Sequence, residues 1–182
     1  MNESRQELLE KVLEKYSVWY DVTRLEPEEQ PLVATAYFHE HETGFMMVRK
    51  AEMWSADKHE YTYFFSLEHL DAKSAEACIN RAKELGEKLI VPKAGHMCSS
   101  IVAVVFCDTA DAEALKIIRS YHFRKSFQFS LKGWMEIHTA MMEVGKASVI
   151  ANRAGRNTAK FLDSLVHPLE KKKKRFLNIL WD

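Results

Sequence analysis

The sequence has 182 residues, of which 47% are hydrophobic and 29% are charged, with 26 Lys and Arg against 26 Asp and Glu. These proportions are typical of a folded domain and exclude a disordered chain, and the length suits one hydrophobic core. A formal net charge of zero gives no overall attraction to nucleic acids or membranes and little repulsion between copies, so self-association is compatible with the composition.

The cysteines and the N-terminal residues predict a cytoplasmic protein. Cys78, Cys98 and Cys107 have no close spacing, so they do not predict a disulfide framework. The first residues are polar and acidic, unlike a signal peptide. No apolar run approaches the ~20 residues that a membrane-spanning helix needs, so no transmembrane segment is expected.

The first part of the chain predicts one helix followed by four strands. Apolar residues recur at helical spacing over residues 3–15. The strands are expected over residues 17–24, 33–41, 45–54 and 60–68. The turn signal Glu42-Thr43-Gly44 predicts a hairpin of the second and third strands, and the polar residues 55–59 predict a turn before the fourth.

The middle of the chain predicts a helical crossover between parallel strands. Asp71 is a suitable N-cap for a helix that ends near Leu89. Residues 101–107 are apolar at nearly every position, as in a strand that is covered on both faces. The order strand, helix, strand therefore favours a right-handed crossover.

The second half predicts further helices and strands around this centre. Asp108 and Thr109 are suitable caps for a helix over residues 110–122. The strands that follow are expected over residues 125–131, 134–144 and 147–152, as an added meander. The whole chain, residues 1–182, is predicted to be one α+β domain, in which helices pack on a mixed sheet with one parallel crossover and residues 158–182 form a helical, basic tail.

Two short segments hold candidate metal ligands. His39 and His41 alternate along a predicted strand and would face the same side, and His96 and Cys98 have the same spacing. Cys107 is roughly 30 Å from Cys98 along an extended strand, so it could not share an ion with it. The favoured interpretation is structural: polar residues before a turn, a loop histidine and a cysteine at a strand edge.

Basic residues near the C-terminus are candidates for binding phosphates or an anionic membrane. They are Lys171, Lys172, Lys173, Lys174 and Arg175, with Arg153 and Arg156 in the preceding loop. The favoured alternative is that the lysine run forms the solvated side of a helix whose apolar side closes the core.

The element order over roughly residues 1–107 resembles the restriction-endonuclease-like fold. That resemblance implies a Mg²⁺ site with an acidic residue on one strand and an acid-x-Lys motif on its neighbour. Asp71-Ala72-Lys73 has the spacing but begins a helix, and Lys50-Ala51-Glu52 has the reverse order. The resemblance thus implies a degenerate site.

Two stretches in the second half, GHMCSSIVAVVF and KGWMEIHTAMMEVGKASVIANRAGR, resemble an uncharacterised bacterial protein family. This resemblance implies a bacterial source and brings no activity, cofactor or site.

Three hypotheses of function follow. The leading one is a non-catalytic binding or protein-interaction domain, with a homo-oligomer or another protein as partner, because no catalytic constellation is present in the sequence. The first alternative is a nucleic-acid-associated protein with a degenerate nuclease-like fold. The second is a metal-dependent hydrolase built on His39, His41 or His96.

Overall fold

Seven strands and four α-helices make up the part of the chain that the computed structural model describes, which is residues 4–45, 52–92 and 96–167, without the side chains of residues 40–45 and 52–57. The strands are β1 (Asp21–Arg24), β2 (Leu32–Phe45), β3 (Glu52–Leu70), β4 (His96–Ala110), β5 (Arg124–Ser126), β6 (Trp134–Glu143) and β7 (Ser148–Ala151). The helices are α1 (Arg5–Tyr16), α2 (Ala72–Leu89), α3 (Ala112–Ser120) and α4 (Arg156–Val166).

The strands form one mixed sheet in the order β1-β2-β3-β4-β6-β5, and β7 also pairs with β6. The pairs β3–β4 and β4–β6 are parallel, whereas the others are antiparallel. The predicted α+β class is confirmed, and α2 is the expected crossover helix. A second crossover runs through α3, because β6 starts at the same end of the sheet as β4.

The two hydrophobic cores lie on opposite faces of this sheet. Helices α2 and α3 cover the face that carries Tyr63, Phe65 and Ile101. Helices α1 and α4 cover the face that carries Phe64 and Val102. Residues 101–107 are completely buried, as expected for a central strand covered on both sides.

The three strands predicted between residues 33 and 68 are in fact two long strands. Pairing of β2 with β3 continues from Leu32↔Phe65 to Phe45↔Glu52, so the predicted turns at residues 42–44 and 55–59 lie inside strands. A backbone ladder satisfies its hydrogen bonds whatever the polarity of the side chains, so a polar segment need not be a turn. Residues 38–45 and 52–56 extend beyond β1 and β4, and we call them the arm.

Capping explains where two of the helices begin. Ser4 and Glu7 form a capping box at α1, and the Asp71 side chain accepts a hydrogen bond of 2.7 Å from Ser74 N at α2, as expected. The predicted caps of the next helix are wrong. Asp108 and Thr109 lie in β4, whose pairing with β3 continues to Ala110 and delays the start of α3.

The strand predicted over residues 125–131 is also wrong. Only residues 124–126 pair with β6, and residues 127–133 form a tight loop in which Gln128, Phe129 and Ser130 adopt positive φ. The alternation of aromatic residues there does not reflect a strand. The predicted C-terminal helix begins at Arg156, and its residues beyond 167 lie outside the described residues.

Candidate functional site

One end of the domain carries the exposed apolar surface. In the described part of the chain, the large apolar side chains that are exposed all belong to segments meeting where β4 and β6 begin. They are Val18, Trp19, Leu89, Val91, Met97, Phe129 and Leu131. We call this set the apolar end. Exposed apolar side chains that concentrate in one region mark interaction surfaces more often than scattered ones do.

The loop of residues 127–133 holds the most exposed of these side chains. Phe129 is 100% exposed and Leu131 is 83% exposed. The loop is closed by hydrogen bonds, among them Phe127 N to Gly133 O at 2.9 Å and Leu131 N to Gln128 O at 3.0 Å. A left-handed backbone costs a non-glycine residue roughly 1–2 kcal/mol, so the protein keeps this exposed phenylalanine at an energetic cost.

Gly133 fixes the position of this loop against β4. Its φ is +74°, and a Cβ there would lie 2.3 Å from the Met97 carbonyl oxygen. Only glycine tolerates both the positive φ and this close approach. The loop is therefore seated on the first residues of β4.

The arm projects from the same end of the sheet. The register pairs β1 with residues 34–37 of β2, and the described residues supply no strand partner for the outer edge of β2 beyond Tyr37. A two-stranded hairpin alone is only marginally stable in water, and an open edge offers unpaired backbone groups to another strand. The arm therefore adds hydrogen-bonding groups beside the apolar end.

Three histidines form a row across β2, β3 and β4 at the base of the arm. His39 and His59 are direct partners in the register, with their Nδ1 atoms 2.6 Å apart. The ring of His59 also stacks on that of His96, with centroids 6.0 Å apart. The structure thus brings together His39 and His96, which the sequence singled out. The sequence did not predict His59, since it fell in an expected turn.

His96 is buried and bonded to the protein through both ring nitrogens. Its Nδ1 lies 2.8 Å from the Lys132 carbonyl oxygen, and its Nε2 lies 2.9 Å from Ser99 Oγ. A bulge sets His96 and Cys98 opposite successive residues of β3, so their side chains point to opposite faces of the sheet. The same-side arrangement predicted for this pair is wrong, and His96 instead ties β4 to the loop of residues 127–133.

The other metal predictions remain open to experiment. Within residues 4–45, 52–92 and 96–167, no group of three or more His, Cys, Asp or Glu side chains is placed to hold a metal ion. The side chain of His41, predicted to act with His39, lies outside the described ones. A metal role for either residue therefore stays a prediction.

The buried cysteines have no activated thiol. Burial raises the pKa of the Cys78 thiol and of the Cys107 thiol to about 12, so both are protonated at neutral pH. His122 follows α3 and lies at the opposite end of the sheet from Cys107, so it is not placed to activate that thiol. These two cysteines pack as small core residues.

The end of the sheet opposite the apolar end carries a cleft of about 890 Å³. Arg5 there donates a hydrogen bond of 2.6 Å to the Leu67 carbonyl oxygen and pairs with Asp108. Arg81 Nη2 lies 3.6 Å from Glu29 Oε2. Both arginines of the cleft are thus paired with carboxylates, and Glu28 and Glu68 add further negative charge to its lining, so the cleft does not favour an anion.

The predicted basic patch is only partly within the described residues. Arg153 and Arg156 are exposed beside the start of α4. Lys171, Lys172, Lys173, Lys174 and Arg175 lie outside the described residues. Binding of phosphates by this group stays a prediction.

A family model described as a domain of unknown function (DUF8052) matches residues 4–164. It confirms the expected likeness to an uncharacterised family and covers both halves of the chain. The comparisons with curated proteins and with solved structures found no match.

None of the helices in the described part of the chain is long and apolar enough to cross a membrane. The restriction-endonuclease-like resemblance stays a prediction.

Proposed function

We propose that this chain, which belongs to the DUF8052 family of domains of unknown function, is a non-catalytic protein-interaction domain that binds a second copy of itself through the apolar end. The observation that carries the proposal is the concentration of exposed apolar side chains at this end, with Phe129 and Leu131 as the most exposed.

Burial of these side chains supplies the driving force. Full burial of one Phe or Leu side chain stabilises by about 1.5–3 kcal/mol, so a few such residues can support a measurable dimer after the entropic cost of association. The net charge of zero leaves two copies without long-range repulsion. The open edge of β2 in the arm adds backbone donors and acceptors that a second copy could pair with.

The chemistry of the described residues supports a binding role over a catalytic one. The thiols of Cys78 and Cys107 are kept protonated by burial, which raises their pKa to about 12. The nitrogens of His96 are both bonded to the protein. The thiols of Cys78 and Cys107, which form no disulfide, also fit the reducing cytoplasm, which we propose as the location.

The test is sedimentation velocity over roughly a hundredfold range of concentration. The variant F129S/L131S removes the two most exposed apolar side chains, and A112S/E113S is a matched control with two serines at the start of α3, at the opposite end. We expect the native chain and the control to dimerise with the same dissociation constant, and F129S/L131S to remain monomeric.

Two outcomes would overturn the proposal. One is a native chain that stays monomeric at every concentration. The other is a F129S/L131S variant that dimerises as tightly as the native chain. If the native monomer instead bound anionic lipid vesicles and F129S/L131S did not, the apolar end would be assigned to a membrane surface.

A further inference from the structure

His39 and His59 face each other across two antiparallel strands at the base of the arm. Their Nδ1 atoms are 2.6 Å apart and their ring centroids are 4.2 Å apart. At this distance one nitrogen donates and the other accepts, so a single proton lies between the two rings. Two imidazole nitrogens that converge on one point are also the ligands that first-row transition metals prefer.

We propose that this pair is a binding site for a transition-metal ion such as Zn²⁺, in which the metal takes the position of the shared proton. The Nδ1 atoms of His39 and His59 would be its two protein ligands, and water would complete the coordination. Nitrogen ligands at about 2.0–2.1 Å from a tetrahedral ion lie roughly 3.3 Å apart. The two rings would have to separate by roughly 0.7 Å from their present spacing of 2.6 Å.

The surroundings of the pair favour such a site. The strand register fixes the two Cα atoms opposite each other. The His59 ring stacks on Tyr61 and on His96, which restricts its rotation, whereas the exposed His39 is able to adjust. One preorganised ligand and one adjustable ligand allow the small widening that the metal needs without moving the backbone.

Both proposed ligands belong to one chain, so metal binding at this site does not require the proposed self-association. A metal bound here would cross-link β2 to β3 where the arm leaves the sheet. Toward the tip of the arm, the register pairs Glu40 with Lys58 and then His41 with Asp57.

The experiment is a titration of chelator-stripped full-length protein with Zn²⁺ by calorimetry and with Ni²⁺ by NMR of the imidazole protons. The variants are H39Q, H59Q and H41Q, and the matched control is H122Q, at an exposed histidine after α3. Unfolding in the presence of EDTA checks that each variant is folded.

We expect native protein and H122Q to bind one Zn²⁺ per chain, and H39Q and H59Q each to lose at least about tenfold in affinity. Ni²⁺ is expected to broaden the ring signals of His39 and His59 before those of the other histidines. The proposal is overturned if Zn²⁺ produces no binding heat, or if H39Q and H59Q bind as tightly as the native chain. The proposal is equally overturned if the single substitution H41Q abolishes Zn²⁺ binding.

Discussion

Asn152 is bonded through its side chain to the backbone of Thr139, whose N–H donates to Asn152 Oδ1 at 3.1 Å. The same oxygen accepts from Gly155 N at 2.7 Å, and Nδ2 donates to the carbonyl oxygens of Tyr121 and Ile137. One buried amide therefore satisfies four backbone groups and joins the end of α3, β6 and the start of α4.

Replacement of this amide should destabilise the whole domain. N152A would leave buried donors and acceptors without partners, and we expect the free energy of unfolding to fall by about 2–4 kcal/mol. Urea denaturation followed by circular dichroism measures the change. The matched control is N157A on the exposed surface of α4, which is expected to change stability by less than about 0.5 kcal/mol. Equal effects of the two substitutions would contradict the assigned role of Asn152.

Gly133 should be required for the loop that carries Phe129. In G133A, the added Cβ would meet the Met97 carbonyl oxygen at 2.3 Å, in a backbone with φ of +74°. We expect a loss of more than about 1 kcal/mol in stability and a weaker dimer, because the loop must move away from β4. Chemical denaturation and sedimentation velocity measure the two effects. If G133A keeps the native stability and the native dimer affinity, the loop does not depend on this close approach.

Replacement of Ala147 is expected to raise the stability of the protein, whereas the two preceding substitutions lower it. It follows the turn between β6 and β7 with φ of 48° and ψ of 40°, in the left-handed region. Because glycine adopts this conformation without steric cost, A147G is expected to stabilise the protein by about 0.5–1 kcal/mol. Thermal unfolding should show a raised Tm. A lowered Tm would mean that the conformation of this turn differs from the one described.

Alkaline pH should weaken the fold through the buried thiols. Burial raises the pKa of the Cys78 and Cys107 thiols from 9.0 to about 12. Between these values the unfolded chain loses its thiol protons while the folded chain keeps them, so stability falls as pH rises. Burial also raises the pKa of the Tyr63 hydroxyl and adds to the fall in the same direction.

We expect the free energy of unfolding to drop by at least about 2 kcal/mol between about pH 8 and pH 11. The double variant C78A/C107A should show a shallower decrease over the same interval, whatever its stability at neutral pH. Urea titrations at several pH values provide the slopes. Parallel slopes for the two proteins would rule out the thiols as the cause.

The sequence by itself determined the parts of the fold whose signals are local. The cap at Asp71, the helical spacing through α2 and the apolar run of residues 101–107 predicted a helical crossover onto a buried central strand. A cap and a periodic apolar pattern act within one segment, so they can be read without knowledge of its neighbours.

Only the tertiary structure decided which segments meet. Pairing of β2 with β3 turned predicted turns into strand, and it placed His59 against His39. Parallel pairing of β6 with β4 made α3 a second crossover and brought Phe129 to the same end as Trp19. Register and strand order depend on hydrogen bonds between residues distant in the chain, and no local pattern specifies them.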